Sequence, residues 1–303
     1  MHKKAVLEQI RGRWQLMVLV LPTVAYFVLF HYVPMYGVQL AFKNFLSSKG
    51  IWGSPWIGLT NFTRFFASPT SWNIIANTII LSAYQTVVNF FLPILLALML
   101  NMMTHQRVKR LIQTVTYAPH FLSVVVVVGM ILIFFSPYNG LVNGVIGLLG
   151  HKPVAFMNEA KYFRHIYVWT GAWQSTGWGA IIYLSALSGI DPALHEAAVV
   201  DGASRLKRVW HIDIPGILPT AMLLLILSVG NIMTLGFEKV YLMQNSLNMS
   251  VSEVISTYVY KRGLLNVQYG FSTAVGLFNS VVNMVLLFSV NAIVGRVSGN
   301  SMF

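Results

Sequence analysis

Apolar residues form six long runs along the chain, and the charged residues lie in the segments between them. No Asp, Glu, Lys or Arg occurs between Arg13 and Lys43. Five further intervals share this property: Arg64 to Arg107, Arg110 to Lys152, Arg164 to Asp191, Asp213 to Glu238 and Arg262 to Arg296. Each is longer than the ~20 residues that cross ~30 Å of hydrocarbon as a helix. The pattern predicts an all-α, polytopic membrane protein.

The six runs define one predicted transmembrane domain, residues 14–303, after a short N-terminal tail, residues 1–13. We place the spans at about 14–34, 76–101, 114–135, 165–189, 217–237 and 270–294. The first run has the basic start of a secretory signal, but it lacks a small-residue cleavage site and five spans follow it, so we expect it to be retained. An even number of spans puts both ends on one side, and the higher density of Lys and Arg there favours the cytoplasm.

The composition supports a lipid environment and restricts the kinds of molecule that the chain is expected to contact. Of the 303 residues, 56% are hydrophobic and only 9% are charged, whereas roughly 25% are charged in an ordinary soluble domain. The formal net charge of +12 is spread over many loops. This distribution indicates contact with the anionic lipids of the bilayer and not with nucleic acid.

Ionisable groups are missing from the centres of the predicted spans. Ion-coupled carriers usually keep such groups at depth, so an ion-coupled secondary carrier is the less favoured alternative. His120 is the single candidate for a proton relay, and a structural histidine bonded to a neighbouring carbonyl is the other interpretation. Enzyme signals are absent too: the chain has no cysteine and no phosphate-binding loop, and Val199 stands where a zinc-protease helix beginning at His195 would need its second histidine.

One charged insert, residues 190–215, lies between the fourth and fifth spans. Asp191 is a good N-cap and Pro192 fits the first position of a short helix, which Gly202 can end in a left-handed conformation. Ser204 can start a second short helix that Pro215 closes. Local physics leaves two interpretations open: an amphipathic linker on the lipid headgroups, or a docking surface for a soluble partner.

The spacing of the insert resembles the EAA loop of binding-protein-dependent ABC importers. The matching residues are Glu196, Ala197, Ala198, Gly202, Ile212, Ile214 and Pro215, with Ile214 where leucine is usual. Asp201-Gly202-Ala203 is typical of the sugar-importing branch. The stretches QTVTYAPHF, WQSTGWGAIIYLSALSGIDP and GFEKVYLM resemble permeases for the uptake of aldouronates and complex oligosaccharides.

The resemblance implies a type I importer transmembrane domain of six helices in a bacterial inner or plasma membrane. Its expected partners are a second homologous permease, two cytoplasmic ATPase subunits, and an extracellular or periplasmic solute-binding protein that delivers an oligosaccharide. ATP and Mg would bind the ATPase subunits, so this chain would carry no cofactor and no catalytic residue. The residues expected to couple it to the ATPase are Glu196, Ala197, Ala198, Asp201, Gly202, Ile212 and Pro215.

A path for sugar is predicted from aromatic and uncharged polar residues in the fourth and fifth spans. The candidates are Trp173, Gln174, Ser175, Trp178, Ser228 and Asn231. Polar groups at membrane depth must face protein or a water-filled cavity, although the same residues could simply pack helices together. In maltose-type permeases the corresponding helices hold the sugar. Ile232 and Leu235 depart from that pattern.

Basic residues outnumber acids in the segments predicted to be external. They are Lys43, Lys49, Arg64, Lys152, Lys161, Arg164, Lys239, Lys261 and Arg262. A solvated or lipid-facing surface explains them without a specific function. The alternative is that they steer an acidic oligosaccharide or dock the binding protein.

Overall fold

Helices make up most of the part of the chain that the structure describes, residues 14–298 of a computed structural model. Within this range, the only β-type backbone pairing is an isolated antiparallel bridge between Lys43 and Trp56. The α-helices are α1 (Trp14–Phe27), α2 (Gly50–Gly53), α3 (Thr60–Phe66), α4 (Pro69–Asn101), α5 (Gln106–Tyr117), α6 (Val124–Phe134), α7 (Leu141–Leu148), α8 (Ala160–Ser188), α9 (Pro192–Val200), α10 (Arg205–Gly230), α11 (Phe237–Met243), α12 (Met249–Ser252), α13 (Ile255–Tyr260) and α14 (Tyr269–Ser298).

Several helices contain a π-helical segment or continue into a π-helical or 3₁₀ segment. After α1 the helical run continues through a π-helical segment, Val28–Tyr32, a short α-helical turn, Val33–Met35, and a 3₁₀ segment, Tyr36–Phe42, well past the predicted end of the first span at 34. Helix α10 contains a π-helical segment, Val209–Asp213, and another π-helical segment, Lys261–Leu265, follows α13.

Within residues 14–298, four helices are long and apolar enough to cross a membrane. They are Gln15–Phe42, Pro69–Met102, Arg205–Gly230 and Tyr269–Arg296. Helices α5 and α6 together would make a fifth span. Helix α8 has 29 residues, but its Thr, Gln, Ser and Gly residues lower its hydropathy. The count of six spans therefore stays a prediction.

The predicted third span, 114–135, is wrong as a continuous helix. Helix α5 ends at Tyr117, a 3₁₀ turn follows at Ala118–Phe121, and α6 leaves at an angle of 100°. Pro119 has no N–H to continue the α-helical ladder. Ser123 then starts a new helix, because its Oγ accepts a hydrogen bond from the backbone N–H of Val126 at 3.3 Å.

The fifth span also differs from its prediction at both ends. Pro215 does not close a second short helix, because α10 runs without interruption from Arg205 to Gly230. The π-helical segment Val209–Asp213 ends two residues before Pro215 and widens the turn near the proline, which has no N–H to donate. At the other end the helix stops at Gly230, short of the predicted end at 237. The Asn231 side-chain amide donates to the Leu227 carbonyl at 3.0 Å there.

The core is built on the long contact between α4 and α8, with α10 against both. Gly177 on α8 lets α5 approach closely, since a Cβ there would collide with the Thr116 carbonyl. Near the insert, Ala97, Ala180 and Leu187 pack with Val209 and Ile217 in one buried cluster. Val209 of the insert is thereby packed against the core helices α4 and α8.

Candidate functional site

The first helix of the insert has the local geometry that its sequence predicts. The Asp191 carboxylate accepts a hydrogen bond from the Ala193 N–H at 2.9 Å, with Pro192 at the first helical position. Gly202 follows the helix in the left-handed region, with φ of +74°. The Ser204 hydroxyl then accepts from the Lys207 N–H at 3.4 Å. Both helix starts and the turn between them are therefore fixed by residues of the insert itself.

The insert exposes much of its apolar surface. Glu196, Ala197, Asp201 and Pro215 are exposed, while Ala198 and Ile212 are half-buried. Large apolar side chains lie beside them with high exposed fractions: Leu194 54%, Val199 54%, Val200 87%, Leu206 65% and Trp210 67%. An apolar surface of this kind, rimmed by charges, is typical of a protein–protein or membrane contact.

Asp213 joins the insert to the ends of the core helices. Its Oδ1 lies 3.3 Å from Nε2 of His195 on α9 and accepts a hydrogen bond of 3.4 Å from the Asn101 amide at the end of α4. The carboxylate is buried, and it borders a cleft of about 560 Å³ that Glu196 and Arg208 also line. One side chain on α10 thus contacts both α9 and α4.

Sequence reasoning missed this junction. The one available signal was Asp213 itself, an acid between two isoleucines at the edge of a predicted span. Nothing in the sequence connects it to His195 or Asn101, which lie 18 and 112 positions earlier.

Two of the six predicted path residues, Ser228 and Asn231, share a pocket of about 220 Å³. The opposite wall belongs to α4, whose contribution the sequence analysis did not include. The lining residues are Ser82, Gln85, Thr86, Asn89, Ser228, Asn231, Ile232, Thr234, Leu235 and Gly236. The signal in the sequence was a run of uncharged polar residues at helical spacing inside the apolar span 76–101.

The pocket contains buried polar atoms without partners. Ser82 Oγ and Asn89 Oδ1 are shielded from solvent, and no hydrogen bond reaches them from the described residues. Leaving such an atom unsatisfied costs about 1–3 kcal/mol. In a native protein an atom of this kind is expected to find a partner, which is an ordered water, an ion or a functional contact.

The other four predicted path residues do not join this pocket. Trp173 lines a separate apolar cavity of about 460 Å³ together with Trp169 and residues of α6. The Gln174 amide donates to the Leu122 carbonyl at 2.8 Å, at the bend between α5 and α6. The Ser175 hydroxyl donates to the Gly171 carbonyl of its own helix at 2.9 Å.

Trp178 stacks on His120, with ring centroids 4.4 Å apart and an angle of 3° between the rings. This contact gives His120 a packing role at the bend. Among residues 14–298, no group of three or more His, Asp or Glu side chains is arranged to hold a metal ion.

The basic residues predicted to be external mostly contact the protein itself. Lys43 is buried and donates to the Ile51 carbonyl at 2.7 Å, and Lys239 is buried and donates to the Tyr167 carbonyl at 2.9 Å. Burial lowers the pKa of Lys239 to about 8. Further contacts of this kind are Arg164 with Asn77, Lys261 with Glu253, Lys161 with Glu159, Arg64 with the Phe271 ring and Arg262 with the Tyr258 ring.

Comparison with known proteins gives consistent matches over nearly the whole chain. Residues 89–299 match the family described as "Binding-protein-dependent transport system inner membrane component". Protein LplB of Bacillus subtilis (strain 168) is 42% identical over 97% of this chain and 92% of its own. The polygalacturonan/rhamnogalacturonan transport system permease protein YteP of the same organism is 40% identical over 96% and 90%.

Solved structures agree with these relatives. A chain in the crystal structure of a bacterial alginate ABC transporter, in complex with an alginate pentasaccharide-bound periplasmic protein, superposes with a TM-score of 0.90. It is 36% identical to this chain, and the match covers 97% of this chain and 99% of that one. A second structure, of a bacterial ABC transporter involved in the import of the acidic polysaccharide alginate, gives a TM-score of 0.91 at 37% identity, with the same coverage.

Proposed function

Because the chain belongs to the family of inner membrane components of binding-protein-dependent transport systems, it is a transport permease, and we propose that it imports oligosaccharides. It would act as one transmembrane subunit of an ATP-driven importer. An external solute-binding protein would deliver the sugar, and alternating access would carry it to the cytoplasm. The proposal includes six spans, both termini in the cytoplasm and a heterodimer with a homologous permease.

The observation that carries the proposal is an exposed helix anchored to the core through a buried carboxylate. Helix α9 leaves Glu196 and Ala197 exposed, while Asp213 links it to α4 and α10. A soluble ATPase that bound α9 would therefore act on two long core helices at once. We propose this as the route by which closure of the ATPase pair opens the membrane cavity, with ATP and Mg held on the ATPase subunits.

The sugar assignment rests on the named relatives and on the uncharged polar pocket. YteP is named for polygalacturonan and rhamnogalacturonan, and the structural neighbours for alginate. These are acidic polysaccharides, so we include uronate-containing oligosaccharides among the proposed substrates. Ser228 and Asn231 are the path residues that the pocket supports best.

Uptake of labelled oligosaccharides, in cells with and without this chain, tests the substrate. We expect dependence on the chain and competition by uronate-containing oligosaccharides. Competition by neutral sugars alone would remove the acidic substrates from the proposal. Uptake that persisted after loss of every candidate ATPase would favour the alternative, an ion-coupled carrier.

The absence of cysteine makes the docking of α9 directly testable by crosslinking. A single cysteine at Ala198 should be captured by a cysteine in the groove of the ATPase. A cysteine at Ala155, in a segment predicted to be external, is the matched control and should not react. The same crosslinking yield at both positions would contradict the coupling role.

A further inference from the structure

We infer that the face of α4 bearing Ser82, Gln85, Thr86 and Asn89 forms a second wall of the sugar path and binds hydroxyl groups of the passing oligosaccharide. This inference rests on the proposed function. It adds a binding surface from a helix on which the resemblance to known importers placed no sugar contact.

Four of the seven polar side chains that line the pocket lie on α4. On the α10 side, the Asn231 amide already donates to the Leu227 carbonyl at 3.0 Å, and Thr234 Oγ1 accepts from Asn283 at 2.9 Å. On the α4 side, Ser82 is 3% exposed and its Oγ has no partner among the described residues. Asn89 Oδ1 is buried and unpartnered as well.

The unpartnered groups match a hydroxyl-rich ligand. A sugar hydroxyl both donates and accepts a hydrogen bond, and side-chain amides and hydroxyls offer both functions. Gln85 and Thr86 line the same pocket and provide two further groups of this type. Four such side chains on adjacent turns of one helix can exchange hydrogen bonds with successive hydroxyls of a moving chain.

The pocket is suited to hydroxyl groups and not to carboxylates. None of its ten lining residues is charged. Lys239, which follows on α11, is directed to the Tyr167 carbonyl and ring instead. A carboxylate without a cationic partner is costly to bring out of water. This chain would therefore bind the hydroxyl groups of an acidic sugar, and the negative charge of the sugar would be balanced by another surface.

The size and depth of the pocket favour a wall over an enclosed site. Its volume of about 220 Å³ is below the roughly 300–1,000 Å³ of pockets that enclose a small-molecule ligand. Unpartnered amides and hydroxyls at membrane depth do not face lipid. The half-buried Gln85 and Thr86 side chains therefore face either the sugar path or a polar surface of the second permease, and a substrate-selective loss of uptake distinguishes the first from the second.

The test is an Asn89→Asp variant in the complete transporter, assayed with a uronate oligosaccharide and a neutral one of equal length. Asp has nearly the shape of Asn and places a negative charge in the pocket. We expect uptake of the uronate substrate to fall about tenfold or more, because like charges in a confined site repel. Uptake of the neutral substrate should change less than about threefold. Asn139→Asp, in an exposed turn, is the matched control and should leave both unchanged.

A second variant, Gln85→Leu, keeps the inference testable in two further cases. One is a complex that transports only neutral sugars, and the other is an Asn89→Asp chain that fails to assemble. It removes the amide without adding charge, and we expect KM to rise about fivefold while kcat is kept. Wild-type uptake by both variants would overturn the inference alone. Equal loss of both substrates, with reduced recovery of the second permease, would also overturn it in favour of a subunit contact. No chain-dependent glycan uptake even in wild type would overturn the proposed function itself.

Discussion

The insert and the polar pocket are the two candidate sites of this chain, and they are built in opposite ways. The insert is local: its N-cap, its proline, its left-handed glycine and its second cap all lie within residues 191–204. The pocket is assembled from residues 82–89 of α4 and from residues 228–236, at the end of α10 and in the turn after it, which lie far apart in the sequence. The insert is charged and exposed, whereas the pocket is uncharged and half-buried.

The two regions differ in how much of their form is encoded by neighbouring residues. A surface that docks a partner can be encoded by the backbone signals of one short segment, because little of it depends on distant residues. A binding wall inside a helix bundle depends on which helices pack together and on how they are rotated. Substitutions in the insert, at the bend and on the surface separate the local contributions from the assembled ones.

Gly202→Val should have the largest effect. Valine at a φ of +74° costs of order 1–3 kcal/mol in backbone strain, which the exposed turn can relieve by moving α9. We expect transport to fall at least about tenfold while the chain remains in the membrane. Gly150→Val is the matched control, because Gly150 has a φ of +80° and open space like Gly202. Equal loss of transport in the two variants would show that strain alone matters.

Asp213→Ala should have a smaller effect and tests the assembled part of the insert. The change removes the acceptor shared by His195 and Asn101, which weakens the anchoring of α9 by about 1–3 kcal/mol. We expect transport to fall about three- to tenfold while ATP hydrolysis by the complex continues. Asp213→Asn should recover most of the transport, because the amide oxygen still accepts hydrogen bonds. Glu238→Ala, at an exposed acid, is the control. Unchanged coupling in Asp213→Ala would contradict the junction.

His120→Phe and His120→Ala distinguish packing from proton transfer at the bend. Phe keeps the stack on Trp178, so we expect transport within about twofold of wild type. Ala loses the stack, worth about 1 kcal/mol, and the melting temperature should fall by about 2–4 °C. Loss of transport in His120→Phe would restore the histidine as a candidate relay and favour the ion-coupled alternative.

The double variant Lys49→Gln and Lys152→Gln should have the smallest effect. Both side chains are exposed, and the hydrogen bonds and ring contacts of the described residues do not include them. We expect uptake of an acidic oligosaccharide to change less than about twofold at physiological salt, because exposed charges are screened there. A large, salt-dependent loss would instead support electrostatic steering by the external surface. Lys43→Gln, by contrast, should lower the melting temperature, since Lys43 is buried against Ile51 and Trp56.

The helical membrane class, the family and the local form of α9 could all be predicted from the sequence. Hydrophobic run length and charge spacing are properties of consecutive residues, and so are Asp191, Pro192 and Gly202 as start and stop signals. The predictions from the sequence were wrong where the geometry of a helix depended on contacts with other helices. The bend at Pro119 is stabilised by Gln174 on α8, and the end of α10 at Gly230 is followed by a turn whose Met233 N–H donates to Asn283 on α14.

Which polar residues line the same pocket depended on how the helices pack. Ser175 and Trp178 carry the right chemistry for a sugar path, yet one bonds its own helix and the other stacks on His120. Gln85 and Asn89 line the pocket with Ser228 and Asn231, although the sequence pattern assigned them only to a membrane span. The periodicity and composition of a helix show which residues share a face. The rotation of that helix against its neighbours is set by packing between residues far apart in the chain.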